Sequence, residues 1–213
     1  MSETKIVIKR DNSKQEFNIE KIKLKLKYLV NEPTTLYNIN IGEIIKEADS
    51  GCPNGIYTYQ IDEYLAETCA HMGIYHTDYL SLAGRICIDN HHKKTLKTFS
   101  DSMKILYEHG ILNKDFYDFI KKGKNYKKID KKVEENEYRD FNYDYFGFKT
   151  LEKSYLLSIN TKDKDGNNIK KIIERPQYLI MRVALAIHYD FKNVRKSLEK
   201  AFQTYDLISN GYL

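Results

Sequence analysis

The stretch IVIKRDNSKQEFNIEK, residues 6–21, decides how the rest of the chain is read. Apolar and polar side chains alternate from Ile6, break at Asp11-Asn12-Ser13, alternate again, and enter a helical pattern at Ile19-Glu20-Lys21. A period of two marks a half-buried strand, so the stretch predicts a β-hairpin feeding a helix. Lys9 and Arg10 end the first strand and Lys21 begins the helix. A closed hairpin would bring these cations near a helix N-terminus, where backbone N–H groups lack intrahelical partners. That combination suits a polyphosphate, and nucleotide binding is the first functional expectation.

Working outward, Glu20 to Val30 predicts a helix with Ile22, Leu26 and Leu29 on one face, ended by Pro33. Asn40 to Asp49 predicts a second, with Ile41, Ile44, Ile45 and Ala48 at helical spacing. After a Gly51–Gly55 loop, Ile56-Tyr57 supplies a third short strand. Thr58 is expected to cap a third helix, with Ile61, Leu65, Cys69 and Met72 inward. Thr77 is expected to cap a fourth, with Leu80, Ala83, Ile86 and Cys87 as its stripe. The first hundred residues thus read as a small sheet over a four-helix unit.

Short helices follow at Ser100–His109 and Asn113–Lys122. The aromatic run Tyr138, Phe141, Tyr143, Tyr145, Phe146, Phe148 is expected to be core. Lys149–Leu157 reads as a helix, and Asn160–Lys171 as a hairpin or flexible insertion around Asp165-Gly166. Pro176 opens a helix to His188, with Leu179, Val183, Ala184 and Ile187 as its apolar positions. A last helix, Lys192–Ser209, carries Val194, Leu198, Ala201, Tyr205 and Ile208 on one face and ends at Gly211. The fold class expected is mainly α, with a small three-stranded β cap at the start and a short hairpin later. The boundaries are 1–97 for the first region and 98–213 for a second, helical one.

Hydrophobic residues make up 41% of the chain and charged residues 31%, a balance typical of a folded globular protein. No apolar run approaches the roughly 18 residues that span a bilayer, and no leader pattern opens the chain. The three cysteines, Cys52, Cys69 and Cys87, form no CxxC pair and are expected as buried thiols in a reducing compartment, the cytoplasm. The net charge of +5 is local. Lys121–Lys132 holds seven lysines and one aspartate, a net +6, which leaves −1 for all other residues. A charge run of this kind is expected as a solvated surface, and nucleic-acid binding is disfavoured for want of interleaved aromatics. Lysine far outnumbers arginine, so each of the six arginines (Arg10, Arg85, Arg139, Arg175, Arg182, Arg195) stands out.

Catalytic patterns are missing. The sequence contains no HExxH, Walker A, GxGxxG or GxSxG element, and no histidine pair at ligand spacing, so no metal or redox cofactor is expected in this chain. His91-His92 are adjacent and point different ways on a helix. Asp62 lies one turn after Thr58, where it would either complement the helix dipole or accept from a ribose hydroxyl or an adenine amino group.

The segment IVIKRDNSKQEFNIEKI (6–22) resembles the opening of the ATP-cone, the nucleotide-binding module of ribonucleotide reductase large subunits. DYLSLAGRICIDNHHKKT (78–95) is similar to the last cone helix. FNYDYFGFKTLEKSYLL (141–157) and ERPQYLIMRVALAIH (174–188) are similar to the region between cone and catalytic barrel in class I enzymes of eukaryotes and large DNA viruses. The resemblance implies ATP and dATP as allosteric effectors, with magnesium, ATP activating and dATP inhibiting through closed oligomers. It places the effector on Lys9, Arg10, Gln15, Glu16, Phe17, Asn18, Ile19, Glu20, Lys21 and Thr58, with Asp62 helping the response to dATP.

It also implies reduction of ribonucleoside diphosphates to deoxyribonucleotides by a cysteine radical. The expected partners are the remainder of the large subunit, further copies of it, and a small subunit carrying a di-iron tyrosyl radical. The location would be the cytoplasm, or the host cytoplasm for a viral chain. The redox thiols of the family are expected beyond Leu213, Cys52, Cys69 and Cys87 match none of them, and the chain alone is expected to be catalytically inactive. Asn12 replaces the family's turn glycine, and asparagine tolerates the positive φ that the turn needs. Two alternatives stay open: a stand-alone ATP-cone regulator, and a basic helical protein that binds nucleic acid through 121–132.

Overall fold

The computed structural model describes residues 5–163 and 166–212. They form two compact units: residues up to His91 with Phe141–Lys149, and His92–Asp140 with the residues from Thr150 onward.

In the first unit, β1 (Ile6–Ile8) pairs antiparallel with β2 (Lys14–Glu16) and parallel with β3 (Ile56–Tyr57), giving the order β2-β1-β3. The hairpin closes where the alternation breaks. Asn12 N–H donates to Lys9 O at 2.9 Å, and Asp11 Oδ1 accepts from Ser13 N–H at 2.9 Å. Asn12 takes φ = 66°, so asparagine does serve here in place of glycine. A β-branched residue has no such tolerance. Asn12→Val is expected to cost about 1–2 kcal/mol, read as a lowered urea midpoint, whereas Asn12→Gly should leave the midpoint unchanged or raise it.

Helices α1 (Ile19–Asn31), α2 (Ile41–Gly51), α3 (Thr58–Met72) and α4 (Thr77–Lys94) lie close to the predicted spans. Asn18 and Asn40 cap α1 and α2 through their side-chain oxygens, quenching otherwise unpaired N–H groups. Thr58 and Thr77 are not caps as predicted but first helical residues. Gln60 Oε1 instead accepts from Tyr57 N–H at 3.1 Å. Leu26, Leu29, Ile44, Leu65, Leu82 and Ile86 form the core of this unit.

Arg85, 3% exposed, donates to the carbonyls of Leu29 and Thr34, both at 2.8 Å, and so satisfies the C-terminal end of α1. All three cysteines are buried. Burial, with Cys87 adding, pushes the Cys69 thiol from its ordinary 9.0 up to about 12. The unfolded thiol ionises near 9 and the folded one does not. Stability from the protonated thiol is therefore present below pH 9 and lost as pH rises from there towards 12. Cys69 should resist a thiol reagent at pH 8 in the native protein and react promptly in urea.

The second unit holds α5 (Phe99–Glu108), α6 (Lys114–Lys121), α7 (Asn125–Glu134), a hairpin of β4 (Ser158–Lys162) and β5 (Asn168–Ile172), α9 (Pro176–His188) and α10 (Val194–Ser209). The hairpin pairs Ser158 with Ile172 through Lys162 with Asn168; Asp165 lies outside the described residues. Phe99, Met103, Phe119, Ile129, Met181 and Tyr205 lead its core. A polar cluster is fully committed here. Glu174, wholly buried, pairs with Arg182 at 2.5 Å, while Asp140 takes His92 Nε2 at 2.8 Å and Gln177 N–H at 2.9 Å. Arg175 pairs with Glu137 and donates to Thr95 Oγ1 at 2.9 Å.

Three sequence expectations change. The helix predicted from Lys149 is α8 (Tyr145–Ser154): Asp144 Oδ1 accepts from Gly147 N–H at 2.7 Å, which starts the helix earlier. The aromatic run is only partly core, since Phe148 is fully buried but Phe146 and Tyr138 are exposed. On α9 the buried face is Gln177, Tyr178, Met181, Ala184 and Leu185, while predicted Ile187 is exposed. Apolar residues surround that helix, so spacing alone did not select a face.

Candidate nucleotide site

β2, the start of α1 and the start of α3 enclose a cavity of about 160 Å³. Its walls include Gln15, Glu16, Phe17 and Asn18 from β2 and the link to α1, Lys21 from the first turn of α1, and Thr58 and Asp62 from α3. Seven of the eleven predicted residues therefore meet at one place. Drug-sized ligands fill pockets of roughly 300–1,000 Å³, so a cavity of this size has room for only part of such a ligand.

Asn18 Oδ1 accepts from Lys21 N–H at 3.2 Å, and the N–H groups of Ile19 and Glu20 belong to the helix turn that has no intrahelical acceptors. Ile19 is half-buried, and Glu20 is exposed and pairs with Lys23 at 3.5 Å. Neither side chain lines the cavity. Lys9 is exposed at the end of β1, outside the lining. Among the described residues, Lys9 and Lys21 have no salt-bridge partner.

Arg10, expected on the phosphates, is engaged within the protein. Its guanidinium donates to Asn90 Oδ1 and stands 3.9 Å from Asp62 Oδ2. Asp62, 8% exposed, is held from the other side by Lys25, whose ammonium lies 2.7 Å from Asp62 Oδ1 and 2.6 Å from Asp89. Burial by itself would lower the Lys25 pKa, but the two aspartates outweigh it and the net shift is upward. Arg10, Lys25, Asp62 and Asp89 thus sum to zero charge. Outside that cluster the positive charge lies on Lys9 and Lys21, opposed by Glu16 in the lining and by Asp11 near Lys9.

Sequence reasoning missed Lys25, Val7, Ile22 and Ile61 in the lining. Lys25 had a signal: it follows Lys21 by four residues, which puts both on one helix face.

A larger hollow of about 860 Å³ lies elsewhere, against α2 and α3. Its rim carries Glu43, Glu47 and Glu67, a charge that repels a triphosphate, so size does not outweigh electrostatics here. Among the described residues no group of three or more His, Cys, Asp or Glu side chains could hold a metal ion, and no helix is long and apolar enough to cross a membrane. In the lysine-rich segment, Lys132 pairs with Asp206 at 2.7 Å and Lys131 with Glu135 at 3.7 Å, so part of its charge is spent within the second unit.

Two protein families match the chain. The ATP cone domain family matches residues 5–94, and the family described as ribonucleotide reductase, all-alpha domain, matches residues 141–213. The ribonucleoside-diphosphate reductase large subunit of Plasmodium falciparum (isolate Dd2) is 42% identical over 171 residues, covering 76% of this chain and 19% of that protein. The Trypanosoma brucei brucei large subunit is 32% identical over 217 residues, covering 98% and 24%. The variola virus large subunit is 36% identical over 215 residues, covering 97% and 25%. The chain spans about a fifth to a quarter of the length of these curated relatives. With a cone match over its first part, an all-alpha match over its last and large-subunit relatives across nearly its whole length, the chain belongs to the ribonucleotide reductase large-subunit family.

Proposed function

We propose that residues 1–97 form an effector domain that senses ATP and dATP and thereby controls reduction of ribonucleoside diphosphates by the large subunit. The observation that carries this reading is the meeting of Gln15–Asn18, Lys21, Thr58 and Asp62 around one cavity. The triphosphate, with its magnesium, would lie outside the mouth on Lys9, Lys21 and the first-turn N–H groups of α1, where the site's spare positive charge is. The base and sugar would enter towards Thr58 and Asp62. Arg10 would serve the site by adding positive charge beside Asp62, 3.9 Å from its Oδ2.

Residues 98–213 are the helical region between cone and barrel in this reading. The radical chemistry belongs to residues of the large subunit other than those in this chain, with the tyrosyl radical supplied by a di-iron small subunit in the cytoplasm. Effector occupancy would act by changing how copies of the subunit associate. The test is titration calorimetry of the chain with ATP, dATP and, as control, inorganic triphosphate. Saturable and mutually competitive binding of ATP and dATP is expected; absence of binding by both nucleotides overturns the reading.

A further inference from the structure

We infer that Lys25 is a positioning residue of the effector cavity: it fixes the Asp62 carboxylate so that the second oxygen faces the ribose 2′-hydroxyl that ATP has and dATP lacks. This rests on the nucleotide reading above and assigns a role to a residue outside the predicted set. The ammonium of Lys25 sits between Asp62 on α3 and Asp89 on α4, at 2.7 and 2.6 Å, and joins three helices at one charge. It takes Oδ1 of Asp62. Oδ2 stands 3.9 Å from Arg10, beyond hydrogen-bond reach, and among the described residues it accepts no hydrogen bond. Asp62 lines the cavity, and with no donor from the described residues on Oδ2 this carboxylate oxygen keeps acceptor capacity for a ligand hydroxyl.

A ribose offers O–H donors at the scale of this cavity, and a triphosphate does not. Asp89 matters because it anchors Lys25 from behind: an ammonium pinned on two carboxylates cannot follow Asp62 if that side chain rotates. Without Lys25, Arg10 is the one cation left within 4 Å of Asp62 among the described residues. The carboxylate would then swing to make the hydrogen bond with Arg10 that it lacks now, and withdraw its acceptor from the cavity.

The experiment is calorimetry of Lys25→Met and Lys25→Arg with ATP and dATP, alongside Lys21→Ala. Lys25→Met is expected to lose about ten-fold in ATP affinity and to bring the ATP-to-dATP affinity ratio towards one, while Lys25→Arg restores both in part. If Lys25→Met fails to fold, Lys25→Met/Asp89→Asn also removes the half-buried charge of Asp89 and carries the same expectation. If wild type binds, Lys21→Ala weakens binding, and the Lys25 variants keep both affinity and ratio, this inference is overturned and the site stands. Loss of affinity with an unchanged ratio also overturns it, because bulk charge explains that result. If wild type binds neither nucleotide, the site and this role for Lys25 fall together.

Discussion

Replacing Lys21 with alanine is expected to weaken ATP binding by about ten-fold or more, with the fold intact. Lys21 stands in the first turn of α1, lines the cavity and is exposed, with no carboxylate in salt-bridge range among the described residues. Its charge is therefore available to a ligand at no cost in broken internal pairs. A charge-assisted contact contributes roughly 1.5–3 kcal/mol, about ten- to a hundred-fold in affinity. The helix should not suffer, since its cap uses the Lys21 backbone N–H rather than the side chain, and alanine is the better helix former. Calorimetry in low salt gives the number, and the gap between wild type and variant should narrow as salt rises. An unchanged affinity would remove the phosphate from this end of the cavity.

A second large effect is expected on stability from Gly84→Ala. Alanine in place of glycine in a helix interior ordinarily gains up to about 1 kcal/mol. At Gly84 an added Cβ would meet backbone atoms of the 141–149 segment: the Asp144 carbonyl carbon at 2.6 Å, and the Tyr143 carbonyl oxygen closer still. Backbone cannot step aside as a flexible side chain can. Either α4 or the segment must move, and the fully buried Phe148 and the packed Tyr143 and Tyr145 would lose contacts. Overpacking of this kind costs about 1–3 kcal/mol and more where backbone is displaced, so about 3 kcal/mol or more is expected, read from the urea midpoint. Gly147→Ala is the control. Its nearest contact is a side-chain oxygen at 3.1 Å, and its change should stay within about 1 kcal/mol of wild type.

Much of the site could be seen in residues 6–21 because the signals there are local. Alternation around Asp11-Asn12-Ser13 specifies a hairpin, and Asn18 before an amphipathic run specifies a helix start. Those two facts place Gln15–Asn18 and Lys21 side by side without any long-range information. The charge assignments were not local. Arg10 counted as a phosphate ligand by its position at a strand end. Its partners, Asp62 and Asn90, lie 52 and 80 residues away (62 − 10 and 90 − 10) on α3 and α4. Likewise only Asp62 and Asp89 on either side of it set Lys25 apart from the other lysines of α1. The arginines that composition singled out turned out mostly to tie the fold together: Arg85 to carbonyls of α1 and the following loop, Arg175 to Glu137, Arg182 to Glu174.

By itself, the sequence determined most of the strands and helices, the positive-φ turn at Asn12 and the burial of the thiols. The strands, helices and turn follow from side-chain periodicity or turn chemistry within a few residues, which the backbone enforces wherever the segment sits; Thr58 and Asp62 joined the residues of the first hairpin through the family resemblance. Only the tertiary structure decided which cations are spent on internal carboxylates, which face of α9 is covered, and that 141–149 packs on Gly84 in the first unit. Ion pairing falls off steeply with distance and steric contact more steeply still. Both therefore depend on ångström-scale approach between residues far apart in the chain, which no local pattern of hydrophobicity records.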